Sequence, residues 1–257
     1  MTQFNGTWLP QQEIGNMFLA ECIKITESTE LFNTFKQNHI FRHVIGNDLL
    51  SNETADILYK NIETDAAIIQ KISIYKTNDI YGSPNLYEYP LTGVISPGTL
   101  YFLNILQSLQ MHFGDISKYN IVEIGSGYGG QAKIILDFNV NSYSMIDVSP
   151  TLNLCKKYLS AFNYSNTNYY NTDSIPVNSY DLVISNWCLS EFDETGILNY
   201  IESVIRYCNN GYFLMNIWDS RKEFLLNSLK QYFSIIEEYP EYPKTHSNDN
   251  WLLVIKK

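Results

Sequence analysis

The run Asn120-Ile121-Val122-Glu123-Ile124-Gly125-Ser126-Gly127-Tyr128-Gly129-Gly130-Gln131-Ala132 decides the fold. Ile121 to Ile124 is a short apolar run that reads as a buried strand, and the glycines after it read as a tight turn. Ala132 to Phe138 then carries apolar residues at helical spacing, so the order is strand, glycine turn, helix. Glycine suits such a turn because positive φ costs it nothing and because it lets a backbone approach a ligand closely. The helix start beyond it offers unpaired N–H groups and the positive end of the helix dipole, a setting for an anionic ligand group.

Downstream of this run, strands and helices alternate with short links. Tyr143 to Asp147, Asn168 to Tyr170, Tyr180 to Ile184 and Gly211 to Asn216 read as strands. Ser149-Pro150 reads as N-cap and first-turn proline of a helix to Phe162. Asp193 reads as the cap of a helix running to about Cys208, and Arg221 to Tyr232 as a further helix. Phe233 to Glu238 and Trp251 to Ile255 read as two closing strands joined by the polar loop 241–250. The expected fold is α/β: a Rossmann-like, mostly parallel seven-stranded sheet with helices on both faces, its last strand antiparallel.

Upstream, residues 1 to about 75 show helical apolar spacing, for example Ile14, Phe18, Leu19 and Cys22, then Ala55, Leu58, Tyr59 and Ile62. Thr77 to Gly98 is turn-rich and aromatic, and helical spacing resumes from Thr99 to Phe113. Two units are therefore expected, a helical N-terminal and substrate-cap segment at 1–113 and a cofactor-binding domain at 114–257. Tyr81, Tyr87 and Tyr101 are read as aromatics of a substrate cleft, with packing against the domain as the competing reading.

The chain has 257 residues, 45% of them apolar, enough for one α/β domain and an accessory segment. Its formal net charge of −10 disfavours nucleic acid and anionic lipid as partners. No 18-residue apolar run and no leader-like start are seen, so a cytoplasmic chain without a membrane span is expected. Cys22, Cys155, Cys188 and Cys208 are far apart and read as buried free thiols. His39 and His43 could share a helix face but have no carboxylate to complete a metal site, and no metal is expected.

Gly125, Gly127 and Gly130 satisfy GxGxxG, and Asp147 ends the next strand, where an acid takes ribose hydroxyls. That fingerprint alone is open between NAD and S-adenosylmethionine. Glu123 at the end of the first strand, a polar turn with Asp173 after the third, and Ser185-Asn186-Trp187-Cys188-Leu189-Ser190-Glu191 after the fourth favour the methyl donor. Residues 121–192 resemble the class I S-adenosylmethionine-dependent methyltransferases. From about residue 30 onward the chain resembles the sugar O-methyltransferases of bacterial glycan clusters, in Phe32 to Asn38, Gly82-Ser83-Pro84, Ile95-Ser96-Pro97, Val122 to Gln131, Ile146-Asp147 and Tyr180 to Glu191. One departure is Leu100-Tyr101-Phe102, where that family shows an Arg just before an aromatic.

The resemblance implies roles. Gly125 and Gly127 would let the loop touch the methionine part of the cofactor, near Tyr128 and Gln131, with Glu123 balancing the sulfonium end. Asp147 would accept from both ribose hydroxyls, Asp173 with Ser174 would meet the adenine amine, and Asn186 would complete the cofactor wall. Trp187 would join the tyrosines on the substrate side. The implied activity is O-methyl transfer to a sugar nucleotide or glycan in polysaccharide biosynthesis, leaving S-adenosylhomocysteine. A sugar hydroxyl is weakly acidic, so a base helps, and the candidates are His246 and Glu191. A peptide or natural-product acceptor, a non-catalytic cofactor-binding partner protein, and an NAD oxidoreductase are the other readings.

Overall fold

The computed structural model describes residues 12–45, 50–217, 219–241, 244 and 250–257. The N-terminal part is helical: α1 (Gln12–Glu27), α2 (Thr29–Thr34), α3 (His39–Ile45), α4 (Asn52–Ile62), α5 (Ala66–Gln70) and α6 (Ile72–Tyr75). Ser28, Ser51 and Asp65 start α2, α4 and α5 by accepting from the N–H groups of Leu31, Thr54 and Ala67. A small hairpin, β1 (Tyr87–Tyr89) and β2 (Gly93–Ile95), precedes α7 (Pro97–Phe113). α7 starts two residues before the helical spacing from Thr99, because the Ser96 hydroxyl accepts from Thr99 N and Pro97 fits the first turn. The turn-rich stretch between α6 and α7 is a packed connection. The Asp79 carboxylate accepts from Ser96 N (2.8 Å), Ser96 Oγ (2.6 Å) and Thr99 Oγ1 (2.6 Å), which fixes its two ends together.

The main sheet follows: β3 (Asn120–Ile124), α8 (Gly130–Phe138), β4 (Ser142–Asp147), α9 (Ser149–Ser160), β5 (Thr167–Asn171), β6 (Tyr180–Asn186), α10 (Glu194–Ser203), β7 (Cys208–Met215), α11 (Ser220–Leu229), β8 (Ile235–Pro240) and β9 (Trp251–Lys256). The strand order is β5-β4-β3-β6-β7-β9-β8. All neighbours are parallel except that β9 runs antiparallel to both β7 and β8. The seven-stranded, mostly parallel sheet read from the sequence is thus present, and its last strand is the antiparallel one.

Side chains alternate across the sheet with period two. Ile121, Tyr143, Met145, Leu182 and Ile184 face a core shared with α7, α8, α9 and the N-terminal helices. Val122, Ile124, Ile146, Val183 and Phe213 face a second core under α10 and α11. Several boundaries differ from expectation. α10 stops at Ser203, ahead of the 3-10 turn Ile205–Tyr207, instead of continuing to Cys208. Ser149 lies inside α9, whose cap is Val148, and its hydroxyl accepts from Asn171 Nδ2 on the neighbouring strand. Asp193 caps α10 as expected, accepting from Gly196 N.

One buried cation ties the N-terminal segment to the sheet domain. Lys133 on α8 is fully buried, and its ammonium donates to Ile74 O (2.8 Å), Thr77 Oγ1 and Asp137 Oδ2. Removing one partner of a buried pair strands the other, whereas an exposed pair contributes little. Lys133→Met is expected to lower unfolding stability by about 3–5 kcal/mol in urea titrations. Lys24→Met, which breaks the exposed Lys24–Glu21 pair, should change it by less than about 1 kcal/mol.

Candidate active site

The carboxyl ends of β3, β4 and β6 open onto a cavity of about 660 Å³, a size typical of small-ligand sites. Its floor is the glycine loop. Gly125 has φ +82°, and a Cβ there would fall 2.4 Å from the Cβ of Cys188, so only glycine lets the loops after β3 and β6 pass this closely. Gly127 has φ +53° and sits under Ile45 of α3, with its N–H donating to Asp147 Oδ2 (3.2 Å). Tyr128 is buried and anchors the loop from above. Its ring packs against Phe35 (5.2 Å), Phe41 (5.8 Å) and Tyr158 (5.1 Å), with the Lys36 ammonium 5.0 Å from its centre.

Glu123 ends β3 inside the protein. Gln131 Nε2 donates to its Oε1 (2.6 Å) and Tyr143 OH to its Oε2 (2.9 Å). Gln131 in turn accepts from Asn186 Nδ2 (2.5 Å), so a chain of hydrogen bonds joins β4, β3, α8 and β6. Its two donors are neutral, and burial pushes Glu123 up to about 8. Asp147 ends β4, accepts from Val148 N (2.8 Å) as well as Gly127 N, and is pushed up by burial to about 6. Asn186 Oδ1 is buried without a hydrogen-bond partner. Two carboxyls held by neutral donors and one orphan acceptor line this wall, which suits a ligand carrying hydroxyl donors and positive charge.

Of the residues read from the sequence, Glu123, Gly125, Gly127, Tyr128, Gln131, Asp147, Asn186, Tyr101, Trp187 and Glu191 all line this cavity. Trp187 and Tyr101 form one wall, with the indole Nε1 donating to the Tyr101 hydroxyl (3.1 Å). Asp173 and Ser174 lie in an exposed 3-10 turn after β5, and it is their neighbour Thr172 that faces the cavity. Tyr81 and Tyr87 are not among the lining residues. Tyr81 packs between Phe32 (5.3 Å) and Phe162 (5.9 Å), and Tyr87 belongs to the β1–β2 hairpin. Both are partly buried and packed against the main core. His246 lies outside the described residues.

The roof of the cavity and one cation in its wall have no signal in the sequence. Phe18 and Leu19 of α1 and His43 and Ile45 of α3 line the cavity, as does Arg221 of α11. Helical apolar spacing marks a face as buried without saying that it covers a cavity. Among the described residues no group of three metal-ligating side chains occurs. Nor is any described helix long and apolar enough to cross a membrane. The described cysteines are free thiols.

No family model matches the chain, and no curated protein matches it. Solved structures do. The methyltransferase domain of bacterial CtHen1 is 11% identical with a TM-score of 0.50, over 61% of this chain and 97% of that one. PH1948 of Pyrococcus horikoshii, a candidate RNA methyltransferase, is 13% identical with a TM-score of 0.50, over 73% of this chain and 98% of that one. The chain therefore has the Rossmann-like methyltransferase fold.

The Glu123 carboxyl gives a test that needs no ligand. Its value of about 8 lies above the ordinary 4.5, so the proton it keeps in the folded state stabilises fully below about pH 4.5. That contribution is lost as pH rises through 8. Glu123→Gln removes this dependence, so the difference in melting temperature, variant minus wild type, should grow from pH 5 to pH 9. A difference independent of pH would contradict the placement of this carboxyl.

Proposed function

We propose that the chain is an S-adenosylmethionine-dependent methyltransferase that transfers a methyl group to a hydroxyl of a sugar or glycan. The observation that carries the reading is the pair of carboxyls, buried Glu123 and half-buried Asp147, on either side of the glycine loop at the carboxyl edge of the sheet. When bound, the cofactor supplies an electrophilic methyl group on a sulfonium. Asp147, already aimed by Gly127 N and Val148 N, accepts from the ribose hydroxyls. Glu123, fixed by Gln131 and Tyr143, balances the positive methionine end, and Asn186 Oδ1 offers it an acceptor. Asp173, exposed at the rim beside the cavity-facing Thr172 and next to Ser174, is the acceptor for the adenine amine in this reading.

The acceptor side rests on Trp187, Tyr101 and Glu191. An aromatic wall with polar tips suits a ring that is apolar on its faces and hydroxylated at its edges. Glu191 removes the hydroxyl proton, and His246 is the other candidate base. An enzyme of this kind mainly aligns a nucleophile and excludes water. The helical roof of α1 and α3 supports the second of these. PH1948 is named for RNA, but the net charge of −10 here favours an uncharged or small acceptor over a polynucleotide.

Asp147→Ala should weaken S-adenosylhomocysteine binding at least about tenfold, or 1.4 kcal/mol, by calorimetry. Unchanged affinity would remove Asp147 from the site. Radiolabelled methyl transfer from S-adenosylmethionine should label a bacterial glycan extract in preference to RNA or peptide. Glu191→Gln should slow that transfer by about 10²–10⁴-fold while cofactor affinity stays within about twofold. Label entering only RNA or peptide would overturn the sugar acceptor.

A further inference from the structure

Glu191 sits in the 3-10 turn Cys188–Glu191, on a stretch that leaves β6 abruptly. Trp187 enters it with φ +69°, a left-handed conformation that non-glycine residues hold only when their surroundings impose it. Trp187 N donates to Leu214 O (2.8 Å) and Asn216 N to Ser190 Oγ (3.2 Å), which ties the early part of the turn to the strand end beside it. The part that carries Glu191 is held from α11. Arg221 Nη1 donates to Ser190 O (3.0 Å) and to Phe192 O (2.9 Å), the two carbonyls that flank Glu191. The other edge of the guanidinium is fixed by Asp219, the N-cap of α11, whose two oxygens both accept from Nε (2.9 Å) and whose Oδ2 lies 2.9 Å from Nη2.

We propose that Arg221 is a positioning residue: it sets Glu191 at the acceptor end of the cavity by gripping the backbone on both sides of it, with Asp219 aiming the grip. The proposal rests on the methyltransferase reading above and adds to it how the candidate base is held. A lone cation in a cavity wall would ordinarily suggest a subsite for a phosphate or carboxylate. Here Asp219 balances the charge and both Nη1 hydrogens are used on carbonyls, so the guanidinium serves the protein's own backbone. The planar fork matters. A lysine carries its three donors on one nitrogen, so it cannot span carbonyls at one edge and a carboxylate at the other as the fork does.

The test combines hydrogen exchange by mass spectrometry with methyl-transfer kinetics on the full chain. In Arg221→Ala the amides of residues 188–193 should exchange at least tenfold faster, while those of 130–138 in α8 and the affinity for S-adenosylhomocysteine stay within twofold. Arg221→Lys should behave like the alanine variant, and Asp219→Asn should lie between it and the wild type. These two keep the test readable if Arg221→Ala folds poorly. In the glycan-extract assay Arg221→Ala should slow turnover at least tenfold, and the double variant with Glu191→Gln should be no slower than Glu191→Gln alone within twofold. Unchanged exchange at 188–193, or losses that multiply in the double variant, would overturn the proposal. No cofactor binding and no turnover in the wild-type chain would overturn the methyltransferase reading. The exchange measurement needs no acceptor and would still decide whether Arg221 fixes the turn.

Discussion

A carboxyl near the inner end of β3 sets the terms for the rest of the structure. Glu123 is buried, so it must be hydrogen-bonded, and its donors come from two different elements, Gln131 on α8 and Tyr143 on β4. Through Gln131 the same carboxyl is linked to Asn186 at the end of β6. The start of α8, the carboxyl ends of β3 and β6 and a tyrosine near the start of β4 are therefore registered on one acid. The glycine loop that joins β3 to α8 has little freedom left, and what remains is taken by Gly125 N donating to Ile146 O. A network of this kind fixes geometry more than it adds stability, because burial keeps the charged form of Glu123 unfavourable until a cation arrives.

The second half of the site comes from distant parts of the chain. Tyr128, the side chain at the tip of the loop, is enclosed by Phe35, Phe41 and Tyr158, so the helical segment before the hairpin is packed onto the glycine loop itself. Tyr158 OH and the Lys36 ammonium both donate to Asn78 O, which links α9 and the N-terminal helices under this roof. One hydrophobic core runs from these helices into one face of the sheet. The cavity is thus walled by the strand ends and covered by helices, an arrangement that removes water from whatever binds there.

Much of this was legible in the sequence because the decisive signals are local. The short, continuously buried runs of β3, β4 and β6, the glycines at 125 and 127, and an acid at the end of each of the first two strands each follow from a few neighbouring residues. The cap at Asp193 did as well. What was not legible depends on distant partners. Helical spacing told that Phe18 and Leu19 face inward, and nothing in it told that they face a cavity. Tyr81 and Tyr87 had the right chemistry for a cleft, but Phe32 and Phe162, from elsewhere in the chain, absorbed Tyr81 into packing. Ser149 read as a cap because Pro150 follows it, yet the Asn171 amide on the next strand claims its hydroxyl. Arg221 looked like an ordinary first-turn residue. Its role arises only because α11 brings it against the carbonyls that flank Glu191.

The account stands on the two carboxyls and the glycine loop forming a methyl-donor site. A crystal structure of the chain grown with S-adenosylhomocysteine tests this most directly. It should place the ribose hydroxyls on Asp147 and the amino-acid end of the ligand along Gly125 to Gly127, on the Glu123 side. Ligand density elsewhere, or a ribose out of reach of the Asp147 carboxylate, would contradict it.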